Sequence, residues 1–221
     1  PNDCLLNPKY PAPVVAGNVE TSQVIVDVLL EALGILANGP GTMNNLSFGT
    51  KDFQYYETIS GGSGAGRSFN GASGVQVHMT NSRLTDPEVL EERFPVILRN
   101  FSLRHGSGGH GKYHGGDGVL RSFEFRENVN LSLLSNRRVY PPKGLFGGES
   151  GKMGFNFIDN LAGSRIKIDP SIDIKIKRGE RFTVETPGGG GLGESINSSS
   201  IYYFAYGSNL SLDQMKIRCH N

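Results

Sequence analysis

Cysteine is nearly missing: the chain has Cys4 and Cys219, at opposite ends and without CxxC spacing. No disulfide framework or paired-thiolate metal site is expected, and both read as reduced thiols. Long apolar runs are missing too. No stretch reaches the roughly 20 residues a spanning helix needs, and no charged start followed by an apolar core marks a signal peptide, so the expected setting is the cytosol. Charge of one sign is not in excess: Lys plus Arg number 22 and Asp plus Glu 21, a formal net charge of +1. Without a long-range field, neither nucleic acid nor an anionic membrane is an expected partner.

What the chain has in abundance is glycine, 31 of 221 residues. These lie between alternating apolar runs and form no low-complexity tract, so they read as turn and close-approach glycine. The length allows one ordinary domain or two small ones. A start at Pro1 without methionine and a stop at Asn221 inside a motif suggest a piece of a longer protein.

Thr21 or Ser22 can cap a long helix with apolar positions Ile25, Val28, Leu29, Ala32, Leu33 and Leu36, ended by Asn38, Gly39 and Pro40. A shorter helix has Thr85 or Asp86 as cap, Pro87 at its first position, and a stop at Pro95. From there the period changes to two. Ile97, Phe101 and Leu103 alternate, as do Val129, Leu131 and Leu133, then Phe155 and Phe157, Ile166 and Ile168, Ile172 to Ile176, and Phe182 and Val184. The expected class is α+β and β-rich: a long and a short helix in the first half, and an antiparallel sandwich or barrel-like sheet in the second. Residues 194–200 read as a small polar linker.

Five motifs carry possible chemistry. GGSGAGRS at 61–68 has the outline of a phosphate loop, but Arg67 stands where the lysine belongs and no helix start follows; the alternative is a turn shaping a pocket wall. His105, His110 and His114 are close enough in sequence for a metal cluster, or they are surface-loop charge among glycines; no metal is expected. His78, Asn81, Arg83 and Asp86 sit where a strand end meets a helix start, a place that opens on a cleft edge. Arg83 can hold a carboxylate with its hydrogen-bond fork and His78 can move a proton near neutral pH; equally, Asp86 caps the helix, Arg83 pairs with an acid and His78 is half-buried. Glu57, after Tyr55 and Tyr56, is either an orienting carboxylate for a substrate amide or water, or an edge-strand group. Successive amides at 186–193 offer an anion nest or simply tight turns.

The run at 55–103, YYETISGGSGAGRSFNGASGVQVHMTNSRLTDPEVLEERFPVILRNFSL, has a distinctive order: strand-like entry, glycine stretch, polar cluster, proline-started helix. GSGGHGKYHGGDGVLRSFEF follows at 106–125, GLFGGESG at 144–151 and TPGGGGLG at 186–193, with PAPVVAGNVETSQVIVDVLLEALG and GTMNNLSFG upstream. Over residues 1–193 the chain thereby resembles the hydantoinase B family and, within it, the second half of ATP-dependent 5-oxoprolinases. The resemblance implies a cyclic-amide hydrolase that opens 5-oxoproline to glutamate, or the related opening of a hydantoin. ATP would activate the carbonyl in a hydantoinase A-like partner part. ATP and a divalent metal are expected in those other parts and no cofactor within this chain, which would be inactive alone; a homo-oligomer is expected. The resemblance favours His78, Asn81, Arg83 and Asp86 as a group, without separate roles. Asn136, before Arg137 and Arg138, stands where the family pattern has an acid, so an arginine must find its partner elsewhere.

Residues 201–221 leave that pattern. YFAYGSNL at 203–210 resembles the opening strand and substrate loop of γ-glutamylcyclotransferases, in which Tyr206, Gly207, Ser208, Asn209 and Leu210 would grip a γ-glutamyl group. A fusion, or neighbouring reading frames joined in one gene model, would account for it. A non-catalytic structural or subunit-contact module is the remaining reading of the chain.

Overall fold

The computed structural model describes residues 2–195 apart from 5, 13, 15 and 16. Tyr206, Gly207, Ser208, Asn209 and Leu210, with most of the expected linker, lie outside the described residues. Two α-helices, α1 (Ser22–Ala32) and α2 (Pro87–Arg93), accompany two antiparallel sheets. One sheet holds β1 (Asn45–Gly49), β2 (Gln54–Thr58), β5 (Val129–Leu134) and β8 (Ser171–Ile176) in the order β2-β1-β5-β8. The other holds β3 (Val96–Arg104), β4 (Gly118–Phe125), β6 (Phe155–Asp159), β7 (Arg165–Lys167) and β9 (Arg181–Glu185) in the order β3-β4-β9-β6-β7. The α+β, β-rich reading stands.

The sheets face one another across one core. Leu46, Phe48, Leu131 and Leu133 from the first meet Phe123, Phe125, Phe182 and Val184 from the second. Phe48 of β1 meets two of them, its ring edge-on 5.2 Å from Phe125 and tilted 6.0 Å from Phe123. Such ring pairs add about 0.5–1.5 kcal/mol beyond their burial. In β5 the alternation is as read, with Val129, Leu131 and Leu133 inside. Two strands differ. A bulge between Leu98 and Asn100 shifts the register of β3, and beyond it Phe101 and Leu103 are exposed. In β6 the buried residues are Asn156 and Ile158, while Phe155 and Phe157 lie under Lys167 and Arg165 on the outer side.

The glycine-rich segments hold turns at Gly106 and Gly147, but most of their length is not turn. Residues 188–192 run extended, and their amides point in three directions in rotation. Gly188 and Gly191 donate to Lys152 and Glu149; Gly189 and Leu192 to Gly116 and Tyr113; Gly190 to Asn38. A period of three is that of an extended polyproline-type helix, which has no internal hydrogen bonds and must find partners on neighbouring segments. Those neighbours sit at backbone distance. A Cβ on Gly189 would lie 1.9 Å from the Ser63 carbonyl, and one on Gly190 2.2 Å from that of Lys143. Residues 188–191 have no positive φ, so glycine is required there for closeness and not for conformation. This bundle decides between the alternatives left open at two motifs. The amides at 188–193 are all engaged, so they form no anion nest, and in the 61–68 stretch Gly62, Ser63, Ala65 and Gly66 donate to backbone carbonyls and cradle no phosphate.

Helix α1 is also turned differently from its apolar pattern. Its buried residues are Gln23 and Asp27, not the apolar stripe, and that choice builds the site.

Candidate functional site

Gln23 and Asp27 stand one helical turn apart on the inner side of α1. The Asp27 carboxylate receives three groups from three loops. Its Oδ1 accepts from the Gly39 amide at 2.9 Å and faces His78 Nε2 at 2.8 Å; its Oδ2 accepts from Arg137 Nη2 at 3.1 Å. Asp27 has no exposed side-chain surface, whereas His78 and Arg137 keep 9% and 15%.

Both reaching residues hold strained backbone. His78 has φ +53° and Arg137 φ +58°, left-handed values that cost a residue with a Cβ of order 1–3 kcal/mol. Such conformations persist only where surrounding bonds over-determine them, and they concentrate at functional sites. Here Gln23 Nε2 donates to the Val77 carbonyl and fixes the approach to His78. Gly41, at φ +58°, lies flat against the guanidinium; a Cβ there would come 2.5 Å from Arg137 Nε. Arg137 Nη2 also donates to Asn38 Oδ1, whose Nδ2 donates to Glu31, and Lys143 closes the chain on Glu31. That lysine bond holds the Glu31 carboxyl below the usual range. Arg137 Nε and Gln23 Oε1 are buried without a hydrogen-bond partner in the described structure.

A second acid adjoins this cluster. Thr42 Oγ1 accepts from the Asn136 amide next to Arg137 and donates to Glu20 Oε1, which also accepts from Asn45 Nδ2 and the Met43 amide. Burial pushes the Glu20 carboxyl up to about 7, against the opposing effect of these donors and of Arg138. Arg138 itself is held by amide oxygens of Asn44 and Asn156 and the Asn136 carbonyl. Burial lowers it to about 9, which leaves it charged at neutral pH. Arg137 and Arg138, beside the position where an acid is absent, thus find Asp27 and a ring of amides.

Of the residues named from sequence, His78 enters this cluster. Asn81 and Arg83 are exposed on the segment leading to α2. Asp86 caps α2, accepting from the Glu88 amide at 3.1 Å. Glu57 is in the core: Arg121 grips both its oxygens at 2.8 and 3.0 Å and Tyr55 Oη donates to it at 2.7 Å. With 3% of its side chain exposed, Glu57 ties β2 to β4 across the two sheets and cannot reach a substrate. The rings of His110 and His114 lie 5.4 Å apart on exposed residues, and among the described residues no group of three or more His, Cys, Asp or Glu is placed to hold a metal.

Asp27, Gln23, Asn38, Glu20 and Arg137 were missed as site residues. The available signal was a polar pair at i and i+4 inside an otherwise apolar helix.

The chain belongs to the hydantoinase B/oxoprolinase family, whose model matches residues 1–195. It is 50% identical over 194 residues to the 5-oxoprolinase of Dictyostelium discoideum, covering 88% of this chain and 15% of that protein. It is likewise 50% identical over 196 residues to 5-oxoprolinase 1 of Arabidopsis thaliana, covering 89% and 16%. The fold is that of part of the ATP-dependent caprolactamase from Pseudomonas jessenii, with TM-score 0.71 and 22% identity over 85% of this chain and 36% of that one. The chain therefore spans about a sixth of the length of the 5-oxoprolinases it matches.

Proposed function

We propose that this chain is a segment of an ATP-dependent 5-oxoprolinase, a hydrolase that opens the 5-oxoproline lactam to glutamate. The observation that carries this reading is the half-identical sequence shared with two proteins named 5-oxoprolinase. A caprolactamase subunit β from Pseudomonas jessenii, 26% identical over 146 residues, fits a division in which an ATP-binding, hydantoinase A-like part is separate. Assembly with that part, a homo-oligomeric state and a cytosolic setting go with the reading. No described helix is long and apolar enough to cross a membrane.

An unstrained amide is a poor electrophile, so the lactam carbonyl needs activation before water can add. The described residues fit neither ATP nor a divalent metal: the loop amides at 61–68 are largely engaged and no metal-ligating group is assembled. The contribution of this chain is positional and protonic. Arg137, whose Nη2 is committed to Asp27 and Asn38 and whose Nε is buried, has Nη1 left to meet a carboxylate such as that of 5-oxoproline. His78 donates from Nε2 to Asp27, which leaves Nδ1 to exchange a proton with water or with the departing ring nitrogen. Breaking the ring C–N bond places the amine and the new carboxylate on one product, glutamate.

Hydantoin remains the competing ring. The test is ATP-dependent ring opening by the complete enzyme with each substrate, alongside the 221-residue chain alone. Glutamate release by the complete enzyme, and none by the isolated chain, is expected. Preferential hydantoin opening would assign a different hydrolase, and turnover by the chain alone would refute its dependence on other parts.

A further inference from the structure

Helix α1 wears its apolar side outward. Gln23 and Asp27 are 0% and 1% exposed, whereas Val28, Leu29 and Leu33 are 55%, 56% and 67% exposed, with Ile35 just beyond the helix at 49%. A helix at a finished protein surface is expected to do the opposite. The inward orientation is fixed by the site, because Asp27 must meet Gly39, His78 and Arg137. The outward side chains therefore have their own reason to be apolar.

We propose that this face of α1 is a docking surface for another part of the same hydantoinase B unit, one that presents apolar side chains to Val28, Leu29, Leu33 and Ile35. Three considerations select that occupant. Relatives carry the chain to supply it: this segment is 15% and 16% of the two 5-oxoprolinases, and only 35% of a shorter, 39% identical archaeal relative from Methanocaldococcus jannaschii. The four side chains are all apolar, and Arg67 beside them is already engaged with the Gly34 carbonyl and the Phe146 ring, so the face matches an apolar partner surface. Its four side chains expose on the order of 400 Å², about half the roughly 800 Å² per partner that a stable interface between separate molecules needs. A patch of that size suffices where covalent continuity raises the effective concentration of the partner.

The consequence reaches the site. Docking on the outer face of α1 steadies the helix that carries Asp27 and Gln23 on its inner face, so the clasp already formed on Asp27 is held more firmly in the assembled unit. The proposal rests on family membership and not on 5-oxoproline being the substrate.

The test places a photo-crosslinker at this face in the complete enzyme, through Leu33→Cys coupled to a maleimide benzophenone, with unsubstituted enzyme as the background. Crosslinked peptides from the hydantoinase B part outside residues 1–221 are the expected result. Crosslinks within residues 1–221, of the same or a second copy, overturn the proposal, as do crosslinks to the ATP-binding part. Full thiol labelling with no crosslink overturns it too, since the face would then be in water. Leu29→Asp in the complete enzyme supplies a second reading: loss of protection from hydrogen exchange in α1 is expected, and unchanged protection counts against docking. Ring-opening activity in the same preparation separates failure of the docking surface from failure of the 5-oxoprolinase reading.

Discussion

His78 and Arg137 hold opposite oxygens of one buried carboxylate, 2.8 Å from Oδ1 and 3.1 Å from Oδ2 of Asp27, and both do so from left-handed backbone. The pair is assembled from loops 59 residues apart in sequence (137 − 78). Each keeps a small exposed surface beside a carboxylate that has none, so the accessible chemistry belongs to the imidazole and the guanidinium.

Under the proposed function, Arg137 and Arg83 are rival candidates to hold the substrate carboxylate. Arg137→Lys keeps the charge but loses the planar fork, and in the complete enzyme it should raise KM for 5-oxoproline about tenfold. Arg83→Ala, on an exposed segment, should leave KM within about twofold. Steady-state kinetics on both variants decide it, and the reverse pattern would move substrate binding to Arg83.

The Glu57–Arg121 pair is buried, with Arg121 fully enclosed and its ring neighbours Phe101 and Phe123 at 4.7 and 5.1 Å. Arg121→Met leaves a buried carboxylate unpaired and should cost about 3–5 kcal/mol in denaturant unfolding. Adding Glu57→Leu should recover most of that loss. A double variant as unstable as the single one would show that the pair is worth more than its burial costs.

Glu20 makes stability depend on pH. Its carboxyl rises from 4.5 unfolded to about 7 folded, so the folded state holds the proton more tightly. The stability this confers is complete below pH 4.5 and is lost as pH rises through 7, a difference of roughly 3 kcal/mol. Glu20→Gln removes the titration. It should be the more stable protein at pH 8 by up to that amount, with the gap shrinking towards pH 5; urea midpoints at the two pH values measure it.

The glycine bundle has its own signature. Gly189→Ala drives a Cβ to 1.9 Å from the Ser63 carbonyl and should cost more than about 4 kcal/mol or prevent folding. Gly163→Ala meets open space at φ +80° and should cost only about 1 kcal/mol. Comparable melting temperatures for the two variants would contradict the close packing.

Much of the framework was legible in sequence. Asp86 followed by Pro87 marked the start of α2, and the alternation of Val129, Leu131 and Leu133 marked a strand and its inner face. Close approach was legible for the glycines, but their bundled arrangement was not, because single-segment patterns cannot reveal a backbone that bonds to three neighbours in rotation. The site was half legible. His78 stood out, but its partner Asp27 was hidden in a helix whose apolar stripe suggested the opposite face inward. Glu57 was found as a polar group worth noticing, yet only the opposing sheet, with Arg121 on it, showed that it belongs to the core.

The most direct test of the site is Asp27→Asn in the complete enzyme, which preserves shape while removing the charge that orients His78 and holds Arg137. ATP-dependent glutamate release from 5-oxoproline should fall at least 100-fold in kcat/KM, with α1 and the β-sandwich still folded by hydrogen exchange. Activity within about threefold of the parent in a folded variant would contradict a functional role for the Asp27–His78–Arg137 cluster.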